Sequence, residues 1–252
     1  MTWRWGNASV VGTSHLVADQ PCQDACCVQL LLGHDGVSVL GIFVADGAGS
    51  ARHGGEGAAA AVHAAAVFWA ERLIAPGSSI DADSMGLCVE AIRARLASLA
   101  GELSAPVREC ACTFLSVLAS PTDVLTFQVG DGGIVLDLGL GDSYSVATKP
   151  MSGEYANTTY FITESDGETR EHGAPAKRIG VFTDGLQRLA LDHTLANANP
   201  RFFDRRFATL EAVSPDQKDQ IDSALAEFLA CESVNRHTDD DKTLVLASFM
   251  AE

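Results

Sequence analysis

Two long helical stretches interrupt a chain that is otherwise rich in short strand-like runs. Residues 55–74 are dominated by alanine, the best helix former, and this stretch ends before Pro76-Gly77. Residues 84–103 carry apolar side chains at helical spacing. Because only a short segment separates the two stretches, we expect them to pack as an antiparallel pair.

Strand-length apolar runs occur on both sides of this helical pair. The sequence predicts strands at 9–13, 25–32, 37–46, 112–120, 124–132, 133–139, 143–148, 158–163, 178–185 and 242–249, with a hairpin turn at 34–36. It predicts two more helices at 200–212 and 214–231. Segregated helices and antiparallel strands indicate an α+β domain, and about ten strands favour two stacked sheets with helices outside.

The composition excludes several function classes. The 252 residues suit one domain, and 33 acidic against 17 basic residues give a net charge of −16. A surface of that sign repels nucleic acid and anionic lipid. The seven cysteines form no zinc-like pattern and resemble buried thiols of a reducing compartment. With no apparent signal peptide or membrane span, we expect a soluble cytoplasmic protein.

Aspartates stand at the ends of three apolar runs. Asp46 and Asp184 each close such a run and are followed by glycine, and Asp239, Asp240 and Asp241 precede the last one. A carboxylate at a strand end is held firmly while it faces a cleft. An isolated Asp-Gly after an apolar run is usually only a turn, so the functional interpretation depends on the combination.

Carboxylates that converge on one place repel each other and are costly to bury without partners. Divalent cations remove that cost, and a set of oxygen ligands favours Mg²⁺ or Mn²⁺ over zinc or copper. Two such ions, roughly 3.5–4 Å apart, can orient an activated water or hydroxide toward a phosphorus atom. The acidic pattern therefore predicts metal-dependent phosphate chemistry.

Six motifs in order resemble those of the metal-dependent protein phosphatases of type 2C, the PPM family. They are "PCQDA" at 21–25, "VADGAGS" at 44–50, "ACTFLSVLAS" at 111–120, "VGDGGIVL" at 129–136, "VFTDGL" at 181–186 and "DDKT" at 240–243. The resemblance spans nearly the whole chain and implies one phosphatase domain over 1–252. It also implies the fold, a four-layer α-β-β-α sandwich of two antiparallel sheets flanked by helices.

The resemblance implies an activity and a ligand set. The expected enzyme is a serine/threonine protein phosphatase that hydrolyses phosphomonoesters with water or hydroxide activated by two Mn²⁺ or Mg²⁺ ions. Asp46 would bridge both ions, the Gly47 carbonyl would serve one, and Asp184 and Asp240 would complete the other. Asp24 and Asp241 would orient water from behind the ligands.

The sequence departs from the family pattern around these ligands. Ala48 occupies the position where many members carry a histidine proposed as general acid, and His53 is the candidate replacement. No arginine lies between Arg4 and Asp24, so His15 is predicted to contact phosphate. Arg52 is a second candidate for that contact. These departures indicate a divergent bacterial branch.

Further residues have weaker assignments. Asp131 belongs to a motif that is structural as often as catalytic. Glu154 and Asn157 are candidates for a loop near the cleft. The Lys-Pro step at 149–150 lacks the preceding aspartate that binds a third metal in some bacterial members.

Two alternatives stay open beside the phosphatase. One is an inactive pseudophosphatase that binds a phosphoprotein or a kinase. The other is a thiol hydrolase that uses Cys22 near His15. The expected partners of the enzyme are a phosphorylated protein substrate and a bacterial Ser/Thr kinase, and the expected state is a monomer.

Overall fold

The computed structural model describes residues 2–139, 144–148, 159–214 and 217–250. Ten strands occur in these residues: β1 (Thr2–Val10), β2 (Asp24–Leu32), β3 (Ser38–Asp46), β4 (Phe114–Ala119), β5 (Val124–Val129), β6 (Gly133–Asp137), β7 (Ser145–Val146), β8 (Glu168–Glu171), β9 (Arg178–Phe182) and β10 (Lys242–Met250). The helices of the same residues are α1 (Thr13–Val17), α2 (Gly54–Ile74), α3 (Ala82–Glu102), α4 (Gln187–Ala190), α5 (Pro200–Ala212), α6 (Lys218–Ala230) and α7 (Glu232–Asn235).

The strands form two five-stranded antiparallel sheets. One sheet has the order β1-β10-β9-β6-β7 and the other has the order β2-β3-β4-β5-β8. Buried side chains such as Ile42, Val117 and Val245 fill the space between the sheets. A second core lies between α2, α3 and the sheet that contains β3, and a third lies under α5 and α6. The four-layer α+β sandwich is confirmed.

Alanines bring α2 close to its sheet. Ala58, Ala61 and Ala65 share one helix face, and each is fully buried. A Cβ at Gly57 would overlap the carbonyl of Cys110. The small side chains thus allow the close approach that positions the start of α2 beside the end of β3.

Two predicted strands differ from the structure. The prediction at 9–13 starts too late, because β1 already begins at Thr2 and pairs with β10 along its whole length. Polar residues and Gly6 conceal this strand in the sequence, and Ile221 of α6 packs over Gly6 so closely that a Cβ would overlap it. The strand at 158–163 is wrong for the described residues, which form a single bridge at Thr159 and a turn that follows it.

Tertiary hydrogen bonds explain the turn after Thr159. The Ile162 amide donates to the Cys112 carbonyl at 3.0 Å, and Arg93 Nε donates to the Ile162 carbonyl at 2.9 Å. The sheet that contains β2 to β5 is completed by β8, not by residues 158–163. The charged sequence "ETRE" of β8 suits an exposed edge. Charged edge strands lack the apolar alternation by which sequence patterns detect strands.

Other predictions match in outline. The hairpin turn lies at 34–36, where β2 pairs with β3 and Gly36 has φ +80°. The fourth long helix starts at Lys218 rather than 214, and Pro215 and Asp216 lie outside the described residues. Glu154, Asn157 and the Lys-Pro step at 149–150 also lie outside them. Over the described ranges, no helix combines the length and apolarity that crossing a bilayer requires.

Candidate active site

Strand pairing brings the acidic residues together at one end of the sandwich. Asp24 begins β2 and lies opposite Asp46, the last residue of β3. Asp184 follows β9, and Asp240 and Asp241 precede β10, which pairs with β9. A cleft of about 140 Å³ opens there, lined by His15, Gln23, Asp46, Gly47, Ala48, Gly49, Thr113, Asp131, Thr159, Phe161, Asp184 and Asp240.

Backbone contacts hold the end of β3. The Asp46 amide donates to Thr113 Oγ1 at 3.0 Å, and the Thr113 amide donates to the Asp46 carbonyl at 2.8 Å. The Gly47 amide donates to the Gln23 carbonyl at 3.1 Å. A Cβ at Gly47 would overlap the backbone of Gly54 at the start of α2, so only glycine fits here. The Asp46-Gly47 pair is therefore rigidly placed at the cleft.

Asp24 lies deeper in this end of the sandwich and ties the two sheets together. Its Oδ2 accepts hydrogen bonds from Thr183 Oγ1 at 2.8 Å and Thr243 Oγ1 at 2.7 Å. Its other oxygen, Oδ1, is buried without a partner, as is Oδ1 of Asp184. Buried carboxylate oxygens are normally hydrogen-bonded, so two unpaired oxygens at one site fit a place that binds a cation or solvent.

The buried acids shift each other's pKa. Burial raises the pKa of Asp24 to about 7, although the hydrogen bonds from the Thr243 and Thr183 hydroxyls act to lower it. Burial, with the charges of Asp131 and Asp240, raises the pKa of Asp184 to about 7. Burial and then the neighbouring acids raise the pKa of Asp46 well above its usual range. Without a cation, the fully charged site is electrostatically unfavourable.

The donor set fits hard divalent cations. In the chain as described, no group of three or more His, Cys, Asp or Glu side chains is arranged to hold one ion on its own. Mg²⁺ and similar ions commonly use only one or two protein carboxylates and keep several waters. Two ions could therefore share the available ligands, each taking one or two carboxylates and several waters. The ligands are Asp46, Asp184, Asp240 and the Gly47 carbonyl.

The adjacent Asp240 and Asp241 have different environments. Asp240 is exposed and lines the cleft, and its Oδ1 accepts from the Asp241 amide at 2.8 Å. Asp241 is 2% exposed, and it accepts from the Gly12 and Gln23 amides at 2.6 Å each. Its Oδ2 also lies 2.9 Å from His15 Nδ1. Asp240 is thus available to a ligand, whereas Asp241 organises the chain behind it.

His15 lies at the cleft and is held from behind. An ionised Asp241 can only accept, so His15 Nδ1 carries the proton of their hydrogen bond. Nε2 is then the ring nitrogen left for other partners. The structure places His15 at the lining of the cleft, with its ring oriented by a buried carboxylate, and its contact with phosphate stays a prediction.

Arg52 and His53 are not brought into the cleft. Arg52 is exposed, and its amide donates to Glu109 Oε2 at 3.0 Å. His53 precedes the first turn of α2, and its Nδ1 lies 3.4 Å from Glu56 Oε1. Neither residue lines the cleft, whereas Ala48 does.

The cleft contains residues that the sequence did not single out. Gln23, Thr113 and Phe161 line it. A neighbouring cavity of about 250 Å³ shares Asp184 and Asp240 with the cleft and includes Arg188 and His237. The position of Arg188, four residues after Asp184, is the only sequence signal that could have drawn attention to it.

The environment of Cys22 is unfavourable for the thiol nucleophile that a thiol hydrolase would need. Burial, followed by the charges of Asp24 and Asp241, raises the pKa of Cys22 to about 12. The thiolate is the reactive form, so this surrounding suppresses reactivity. His15 is also engaged with Asp241.

The sequence and fold both match known phosphatases. The model of the family described as "Protein phosphatase 2C" matches residues 11–230. The chain belongs to this family. It is 43% identical over 251 residues to "Serine/threonine-protein phosphatase 3" of Escherichia coli strain K12, covering 98% of both chains.

Solved structures share the fold at low sequence identity. The serine/threonine phosphatase Stp1 from Staphylococcus aureus has a TM-score of 0.63 at 15% identity, covering 100% of this chain and 96% of Stp1. The catalytic domain of the phosphatase PstP, solved in complex with two manganese ions, has a TM-score of 0.61 at 16% identity, covering 98% and 97%. These likenesses place this phosphatase 2C family member in the same fold.

Proposed function

We propose that this chain is a metal-dependent serine/threonine protein phosphatase that hydrolyses phosphomonoesters on proteins. The decisive observation is that Asp46 and Asp184 line one cleft while Asp24 lies buried opposite Asp46, and that one oxygen of Asp24 and one of Asp184 are buried without a partner. Family membership and the 43% identical phosphatase support the same activity. We assign the whole of 1–252 to a single phosphatase domain.

The proposed cofactors are two Mn²⁺ or Mg²⁺ ions, and the manganese-bound PstP structure supports this choice. When bound, they would neutralise the acids and activate water for attack on phosphorus. Asp46, Asp184, Asp240 and the Gly47 carbonyl would hold them. The charges of these carboxylates, costly when unpaired, would become the source of binding energy.

The remaining residues position groups around the reaction. Asp24 joins the ends of β9 and β10 through Thr183 and Thr243, which keeps Asp184 and Asp240 in register. Asp241 orients His15, whose Nε2 would donate to a phosphate oxygen when the ring is protonated. We propose no catalytic role for Arg52 or His53, because neither lines the cleft.

The proposed setting is the cytoplasm of a bacterium, where the chain would act as a monomer in signalling. All seven cysteines are free thiols, which suits a reducing compartment. A phosphorylated protein is the proposed substrate, and a Ser/Thr kinase that creates it is the proposed partner.

Hydrolysis of p-nitrophenyl phosphate and a phosphothreonine peptide, with and without Mn²⁺, tests the proposal. We expect Mn²⁺-dependent turnover by the wild type and its loss in Asp46→Ala and Asp184→Ala. Asp123→Ala, at the opposite end of the sandwich, is the matched control. Equal rates in wild type, Asp46→Ala and Asp184→Ala would refute the assignment.

A pseudophosphatase is the second candidate because of one observation. Ala48 is buried at the cleft and carries no proton donor at the position where many family members are expected to have a histidine. Calorimetry separates the two candidates. Failure to bind Mn²⁺ at millimolar concentration, with retained binding to a phosphoprotein, would favour the binding module.

A further inference from the structure

A cavity of about 340 Å³ lies in the helical layer formed by α5 and α6, with one residue of β10 in its lining. Most of its wall is apolar, and the apolar members are Leu210, Ile221, Ala224, Leu225, Phe228 and Leu246. The polar members are Arg205, Arg206, Thr209 and Ser233, so none of the lining residues is acidic. Sites for small molecules commonly combine an apolar wall with a few polar groups in this way.

Arg206 lies at this cavity with a hydrogen-bond donor left unpaired. Its guanidinium carbon is 4.0 Å from the centre of the Phe202 ring and 3.7 Å from the centre of the Phe228 ring. Nη1 donates to the Phe202 carbonyl, whereas Nε is buried with no hydrogen-bond partner. The aromatic rings stabilise the charge but accept no N–H at the guanidinium edge. Arg206 therefore still lacks the acceptor that a buried donor normally has.

Two acidic side chains on the neighbouring helices are paired elsewhere. Asp222 of α6 pairs with Lys218, and Glu232 of α7 pairs with Arg236 at 2.6 Å. In the part of the chain that the structure describes, no carboxylate lies within ion-pair distance of Arg206. Its positive charge is thus not balanced by an acid of these residues.

This imbalance has an energetic cost. Burial, followed by the positive charge of Arg205, lowers the pKa of Arg206 to about 10, with a smaller opposing effect from Cys231. The guanidinium is still charged at neutral pH, and a partly buried charge without a counter-ion destabilises the folded protein. An anion in the cavity would remove that cost.

The remaining polar groups favour a carboxylate over a phosphate. Thr209 Oγ1 donates to the Arg205 carbonyl at 3.0 Å, and Ser233 Oγ lies 3.0 Å from Cys231 Sγ. Both hydroxyls are therefore engaged, and the guanidinium is the main source of free donors. The two oxygens of a carboxylate match the edge of a guanidinium, whereas the additional oxygens of a phosphate would be buried without donors.

We propose that this cavity binds a small molecule that joins a carboxylate to an aliphatic chain, such as a medium-chain fatty acid. The carboxylate pairs with Arg206, and the chain lies against the leucine and isoleucine side chains of the wall. The cavity shares no lining residue with the acidic cleft, so this site does not depend on the phosphatase function. Arg205 at the same cavity adds a local positive charge that attracts an anion to a chain of net charge −16.

Isothermal titration calorimetry with wild type tests the ligand class. Octanoate carries both groups, 1-octanol has the chain without the charge, and acetate has the charge without the chain. We expect octanoate to bind ~10-fold or more tightly than either of them. From butanoate to octanoate the affinity should rise by up to about fourfold per methylene, because each methylene is buried against the apolar wall.

Arg206→Met tests the location, because methionine preserves an unbranched stem between the aromatic rings but removes the charge. It should abolish the preference for octanoate over 1-octanol. Arg201→Met is the matched control, since Arg201 is exposed on the same helix and does not line the cavity. That variant should retain the preference, and circular dichroism verifies the folding of both.

Four results would overturn the proposal. They are the absence of octanoate binding to wild type, an affinity that does not change with chain length, equal affinities of wild type for octanoate and 1-octanol, and a preference that survives in Arg206→Met. Loss of the preference in both variants would assign it to general surface charge and would also contradict this site. Tighter binding of octyl phosphate than of octanoate, lost in Arg206→Met, would assign the cavity to phosphomonoesters and overturn the carboxylate.

Discussion

The two ends of the β-sandwich both contain a cavity lined by aspartates, but their carboxylates differ. The far cavity, of about 300 Å³, lies beside the turns that follow β2 and β4 and includes Asp35 and Asp123. Asp35 Oδ1 accepts from the Val37 amide at 3.0 Å, and Asp123 Oδ1 accepts from the Val124 and Gly173 amides at 2.7 Å each. These acids stabilise turns.

The acidic cleft is smaller, about 140 Å³, yet the unsatisfied carboxylate oxygens lie at this end of the sandwich. Oδ1 of Asp24 and Oδ1 of Asp184 are buried without partners, and the pKa of each carboxyl is raised to about 7, chiefly by burial. Cavity size therefore does not identify the functional end of this molecule. The unpaired carboxylates identify it instead. Burying an unpaired carboxylate costs stability, and proteins keep such groups where a bound ligand offsets that cost.

Replacement of one acid at each end should give the largest contrast. Asp46→Asn keeps the side-chain shape but removes a proposed bridging charge, so we expect Mn²⁺-dependent hydrolysis of p-nitrophenyl phosphate to fall by ~10³-fold or more. Asp123→Asn should remain within about twofold of wild type, since Asp123 lies in the far cavity. Circular dichroism verifies folding. Comparable losses in both variants would remove the functional distinction between the ends.

The metal-free protein should lose stability as pH rises from about 4 to about 7. In this window the folded protein retains protons on Asp24 and Asp184, while the unfolded chain, with ordinary carboxyl pKa values, has released them. The folded state binds more protons, so the free energy of unfolding falls with pH, by on the order of a few kcal/mol.

Urea unfolding in EDTA at pH 5 and pH 7.5 measures this dependence. Asp24→Asn and Asp184→Asn should each flatten it, and Asp123→Asn should not. A wild-type slope that persists in both cleft variants would place its origin elsewhere in the molecule.

Mn²⁺ should stabilise the cleft end specifically. A ligand at 100 times its Kd adds about 2.7 kcal/mol of stability, which corresponds to a rise in Tm of roughly 5–10 °C for a chain of this size. Differential scanning calorimetry with EDTA and with Mn²⁺ measures the shift. Asp184→Asn should abolish most of it, whereas Asp123→Asn should show the full rise. Equal shifts in both variants would argue for binding outside the cleft.

The smallest expected effect is on the free energy of unfolding, which should change in opposite directions when an aspartate at each end is replaced. Asp123→Ala removes an acceptor of two backbone amides, so the free energy of unfolding should fall by about 1–2 kcal/mol. Asp46→Asn should raise that free energy in EDTA at pH 7.5, because it removes a repelling buried charge. Urea titration measures both. Destabilisation by Asp46→Asn would show that its carboxylate is stabilised by protein contacts alone.

The acidic centre could largely be predicted from local pattern. Asp46 and Asp184 each end an apolar run and precede glycine, and strand ends at one side of a sandwich converge. The sequence pattern alone could not divide Asp240 from Asp241. That division depends on hydrogen bonds from Gly12 and Gln23 to Asp241, which lie 229 and 218 residues away along the chain.

Long-range packing also decided the groups around the acids. Sequence spacing made Arg52 and His53 plausible phosphate or proton partners, but neither residue lines the cleft in the structure. The sequence pattern could not reveal that α1 exists or that Asp241 orients His15. It also could not reveal that "ETRE" completes a sheet whereas residues 160–163 do not.

The sequence by itself determined the alternation of helices and strands and the aspartates at the strand ends, because burial periodicity and turn chemistry are local properties. The four-layer architecture was predicted from the resemblance to the phosphatase family. Tertiary structure decided which carboxylates are satisfied, which histidine faces the cleft and which apolar side chains stay uncovered. Those outcomes depend on partners brought together from distant parts of the chain, and no local pattern encodes them.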